Sequence, residues 1–97
     1  MKILALEHEL PTATAEGFQK YAVAEARQVW ALYQAGVIRE ANFRADRSEA
    51  VLVLECSSME VAREVLSTLP FVQNELIMFE LIPLKAYSGF ERLFTQD

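Results

Sequence analysis

The chain has 97 residues, 53% of them hydrophobic, and carries a formal charge of −5 with an isoelectric point near 4.8. That length holds one hydrophobic core and leaves no room for a second, so residues 1–97 read as a single domain. The acidic balance and the lack of any Lys/Arg run argue against a nucleic-acid partner, and apolar stretches such as Leu76 to Phe79 fall far short of the roughly 20 residues a membrane span requires.

Residues Lys2 to Glu9 read as a strand that stops at Leu10-Pro11, because proline lacks the N–H a central strand needs. No apolar leader with a cleavage site begins the sequence, and the lone Cys56 forms no internal disulfide; both point to a cytoplasmic location. Thr14 can cap a long helix from about Ala15 to Ala35, with Gly36 just beyond its end, where left-handed backbone is favoured. A second strand is expected over Val37 to Arg44. Asp46-Arg47-Ser48 has turn composition and leads into a third strand, Ala50 to Cys56, so the two form a hairpin. Ser57 and Glu60 have the S-x-x-E spacing of a capping box, which opens a second helix closed by Pro70. Ala62, Val65, Leu66 and Leu69 give that helix its apolar face, and a last strand runs from about Leu76 to Leu84.

This order, β-α-β-β-α-β, predicts an α+β domain with a four-stranded antiparallel sheet and two helices on one face. Leu76, Ile77, Met78 and Phe79 must alternate between the two faces, so both are apolar. Two helices cover one face; the other is expected to meet a second copy, making a homodimer. The C-terminal Tyr87, Phe90, Leu93 and Phe94 are too aromatic for a free tail and either dock on the partner or pack on their own subunit.

Phe18, Ala22, Glu25, Val29 and Leu32 fall on one stripe of the first helix, with Glu25 near its centre. A carboxylate there must find a cation, be protonated, or face a cavity, because burying it unpaired costs several kcal/mol. One reading is structural, a buried pair with Arg39 or Arg44. The other is functional, with Glu25 as a general acid or base whose pKa burial raises. His8, the only histidine, is a second candidate for proton transfer; it shares a strand face with Leu4 and Leu6, where a lone histidine is more often a satisfied edge residue. Tyr21, Val29, Arg39, Phe43 and Phe71 are the candidate ligand-binding side chains. Trp30, Val23 and Ala26 form a lateral stripe suited to a ligand site or to packing. Cys56, just ahead of the second helix, reads as a packed small side chain or as a thiolate favoured by backbone donors.

One His and one Cys do not make a zinc site, and no nucleophile elbow, phosphate loop or dinucleotide fingerprint occurs. Glu25, Leu32, Gly36, then Leu66-x-x-Leu69-Pro70-Phe71 and Met78-x-Glu80-x-x-Pro83-Leu84 resemble the muconolactone isomerase family. The resemblance implies a ferredoxin-like protomer that pairs through its sheet into a dimeric α/β barrel, with rings of dimers as a larger assembly. It also implies an enzyme that needs no metal or organic cofactor and moves a proton on a small lactone or organic acid, with Glu25 at the position of a family glutamate. A non-catalytic small-ligand-binding or assembly module is the alternative, and a cofactor-free monooxygenase follows from fold analogy alone.

Overall fold

The computed structural model describes residues 1–95. Four strands, β1 (Lys2–Glu9), β2 (Ile38–Phe43), β3 (Ala50–Glu55) and β4 (Ile77–Leu84), form one antiparallel sheet in the order β2-β3-β1-β4. Helix α1 (Ala15–Gln34) connects β1 to β2, and helices α2 (Met59–Leu66) and α3 (Pro70–Gln73) connect β3 to β4. A 3₁₀ segment, Gly89–Leu93, follows. This is the ferredoxin-like α+β fold expected from the sequence. None of the described helices is long and apolar enough to cross a membrane.

Local chemistry accounts for most element ends. The Thr14 hydroxyl accepts the Gly17 N–H at 3.0 Å and starts α1. At the other end Gly36 takes φ +80°, the Gly36 N–H reaches the Tyr33 carbonyl, and the Val37 N–H reaches that of Leu32, which is a Schellman closure. The same pair of bonds closes α3, from Glu75 to Val72 and from Leu76 to Phe71, but there the left-handed position belongs to Glu75 at φ 57°.

Two expectations for the second helix need correction. Its cap is Ser58 and not Ser57: the Ser58 hydroxyl accepts the Val61 N–H at 3.1 Å, so Glu60 lies one residue short of the reciprocal position and serves only as a favourable charge in the first turn. Pro70 does not close that helix, which ends at Leu66; it opens α3 from the first helical position, where its missing N–H leaves no intrahelical bond unmade.

Antiparallel partners share a face, so the register sorts the side chains. Ile3, Ala5 and Glu7 of β1, Leu52 and Leu54 of β3, and Ile77, Phe79 and Leu81 of β4 point towards the helices. Leu4, Leu6, His8, Val51, Val53, Met78 and Ile82 point the other way, onto a face that no described element covers. A bulge between Ile38 and Glu40 turns Ala41 and Phe43 to the helix side of β2. The core packs chiefly beneath α2 and α3, where Ile3, Leu54, Ala62 and Leu69 have no exposed surface. Cys56 is buried in it, and burial raises its thiol pKa, so it behaves as a packed small side chain.

Helix α1, by contrast, contributes no fully buried residue. Its inward stripe stands over the β2 side of the sheet and leaves a space there.

Candidate functional site: a cavity between α1 and the sheet

The space under α1 is a cavity of about 640 Å³, within the range of small-molecule sites. Small side chains create it: Ala22 and Ala26 on α1 face Ala41 and Ala50 on the sheet, so neither wall fills the gap. Leu52, Leu69 and Phe79 make its floor apolar, and Trp30, Tyr33 and Phe43 stand at its walls with much of their surface exposed. Trp30 and Tyr33 stack at 5.7 Å between ring centroids.

Two carboxylates interrupt this lining. Glu25 reaches in from α1 and its Oε1 accepts the Phe71 N–H at 2.8 Å. That amide, near the start of α3, has no intrahelical partner, so Glu25 caps α3 while Phe18 packs edge-on against Phe71 at 5.1 Å. The contact fixes the carboxylate's orientation and leaves Oε2 without a hydrogen-bond donor among the described residues. Burial holds the Glu25 pKa above its ordinary value; the Phe71 N–H opposes that rise and the charge of Glu7 adds to it.

Glu7 is the second carboxylate. The β1–β3 ladder ends at Leu6–Val51, and beyond it the Glu7 Oε1 accepts the Ala50 N–H at 3.2 Å in place of a backbone carbonyl. Burial raises its pKa as well, the Ala50 N–H lowers it, and the charges of Glu49 and Glu9 raise it further. Glu7 is not among the residues singled out from the sequence: it shares a strand face with the apolar Ile3 and Ala5, but the opposite face of β1 is apolar too, so alternation does not mark this one as inward.

Of the residues singled out from the sequence, Glu25, Val29, Phe43 and Phe71 meet at this cavity, together with Ala26 and Trp30 of the lateral stripe. Others do not. His8 projects from the opposite face of the sheet, where its Nε2 lies 3.0 Å from Glu80 Oε1, so the sheet separates it from Glu25. Tyr21 is outside the lining, with the Lys20 ammonium 5.3 Å from its ring. Arg39 turns back to donate to the Gly36 carbonyl, and Arg44 pairs with Asp46, so neither arginine neutralises Glu25. Val23 is exposed. Among the described residues no group of three or more His, Cys, Asp or Glu side chains is arranged to hold a metal ion.

A carboxylate with one oxygen anchored, the other open, and a raised pKa in an apolar cavity is equipped to take a proton from a bound carbon acid and return it. No protein-family model matches the chain, and no curated protein matches it in sequence. Among solved structures it is similar to 5-chloro-2-hydroxyhydroquinone dehydrochlorinase (TftG) from Burkholderia phenoliruptrix AC1100, in complex with 2,5-dihydroxybenzoquinone. The TM-score is 0.73, covering 92% of this chain and 98% of that chain at 14% identity. The likeness is one of fold. TftG shares the ferredoxin-like architecture, and so little identity transfers no residue role from TftG to this chain.

Proposed function

We propose that this protein is an isomerase of the muconolactone isomerase type, which moves a proton on a small lactone or related ring compound bound under α1, with Glu25 as the group that carries the proton. The observation behind this reading is the Glu25 carboxylate itself, anchored by the Phe71 amide inside a cavity of about 640 Å³ with no arginine or lysine in its lining among the described residues. A structural capping role alone does not require that cavity. The shared fold with a dehydrochlorinase solved in complex with a small quinone adds support, since that protein also handles a compact ring molecule.

The second reading is a non-catalytic binding module in which Glu25 only caps α3, and the hydrogen bond to Phe71 is the observation in its favour. In both readings the working unit is a homodimer joined through the uncovered sheet face, where Leu4, Leu6, Val51, Val53 and Ile82 lie side by side. The C-terminal aromatics fit the same picture. The chain spans 62 Å along its longest axis and has a radius of gyration of 16.2 Å, against about 12.5 Å for a compact chain of this length. Tyr87, Phe90, Leu93 and Phe94 are all largely exposed, which favours a partner subunit over their own as the surface they pack on.

Melting shifts over a panel of small lactones, phenols and carboxylic acids, read for the wild type and Glu25→Gln, test the enzyme reading. Wild-type hits that turn over and a folded Glu25→Gln variant that does not turn them over support it; hits without turnover in either protein favour the binding module.

A further inference from the structure

We propose that Glu7 sets the charge selectivity of the cavity, so that the site takes an uncharged hydroxylated ring and rejects a ligand carrying a carboxylate. This rests on the reading of the cavity as a ligand site and narrows it. Among the described residues the cavity lining contains two charged side chains, Glu7 on the sheet and Glu25 on the helix, and no lysine, arginine or histidine. Arg44 and Arg47 of the β2–β3 hairpin are held by Asp46 and Glu49, Arg39 by the Gly36 carbonyl, and Lys20 lies against Tyr21.

Each carboxylate spends one oxygen on a backbone amide, Phe71 for Glu25 and Ala50 for Glu7, which holds the two acceptors in place on opposite walls. What they offer a ligand is therefore acceptor capacity at two points across an apolar space. A ring with hydroxyl donors satisfies both; a carboxylate brings a third negative charge, which the neutral donors of the lining, Trp30, Tyr33 and Asn42, do not neutralise. The penalty is large enough to measure. Two like unit charges about 6 Å apart at an effective dielectric constant of about 20 disfavour binding by about 100-fold. The raised pKa of Glu25, to which the Glu7 charge contributes, reports the same field from the protein's side.

Trp30 is the only tryptophan and lines the cavity, so its emission gives a local readout. The experiment titrates the full chain with hydroquinone and with 4-hydroxybenzoate, rings of similar size that differ by one negative charge. The wild type is expected to bind hydroquinone about 100-fold more tightly, and Glu7→Gln, whose amide oxygen can still accept the Ala50 N–H, to narrow that ratio by 10-fold or more through better binding of the anion. Equal affinity of the wild type for the two probes overturns the proposal whether or not the variant folds, as does an unchanged ratio in a folded Glu7→Gln. If selectivity holds and no compound turns over, the isomerase reading fails and this one stands. If neither probe binds, this proposal fails, while the isomerase reading is decided separately by the lactone panel.

Discussion

Glu25 has two separable duties, and two substitutions divide them. Glu25→Ala leaves the Phe71 amide without an acceptor in a half-buried position. A hydrogen bond of 2.8 Å to a charged acceptor contributes about 1.5–3 kcal/mol. Against this stands relief from burying a carboxylate whose raised pKa shows that its charged form is disfavoured in the fold. The expected net loss is about 1–2 kcal/mol, or about 5–10 °C in Tm for a chain of this size. Glu25→Gln keeps an oxygen for the Phe71 amide and has no charge to bury, so its Tm should lie within about 3 °C of the wild type. Its amide is neither a useful acid nor a useful base near neutral pH, however, and turnover should drop by about 10²–10⁴-fold. Thermal denaturation followed by circular dichroism, beside a turnover assay on any compound that binds, reads both effects. Equal loss of stability in the two variants refutes the capping argument; full activity in Glu25→Gln refutes the catalytic one.

The two left-handed helix ends make a matched pair of predictions. Gly36→Ala meets no atom closer than Arg39 Nε at 4.0 Å, so its expected loss of about 1 kcal/mol is backbone strain alone, whereas Glu75→Gly removes such strain and should gain up to about 1 kcal/mol; denaturant midpoints check both. The cavity carboxylates give stability a pH dependence of definite sign. Because the folded pKa values of Glu7 and Glu25 lie above the ordinary 4.5, the folded state holds protons that the unfolded chain releases, so their contribution is present in full below pH 4.5 and is lost as pH rises through the folded values. Melting curves from pH 4 to 8 should show this decline in the wild type and a flatter profile in the Glu7→Gln, Glu25→Gln double variant. On the uncovered face, Val53→Lys places a charge among Leu4, Leu6 and Ile82 and should convert a dimer to monomers in analytical ultracentrifugation.

The fold was legible because its punctuation is chemical: Thr14, Gly36 and the turn at Asp46 act through short-range contacts that sequence spacing reports directly. The error at Ser57 came from two adjacent serines: only Ser57 has the S-x-x-E spacing, but Ser58 makes the cap, and the choice between them depends on where the chain leaves β3. Glu25 stood out because the helical period put it among apolar neighbours. His8 and Glu7 were harder to sort. Both faces of β1 are apolar, Ile3 and Ala5 on one and Leu4 and Leu6 on the other, so alternation alone does not say which face the helices cover. His8 lies on the face away from the cavity and Glu7 on the face that lines it. The cavity itself is made of alanines that carry no signal until α1 is laid over the sheet.

Isotope exchange tests most directly whether Glu25 exchanges a proton with a ligand bound under α1. Small unsaturated lactones incubated with the protein in D₂O should take up deuterium at the carbon next to the carbonyl, as followed by NMR, and Glu25→Gln should lower that rate by at least about 100-fold while remaining folded. Uptake at the same rate in both proteins, or at the buffer rate with the wild type under saturating ligand, contradicts the account.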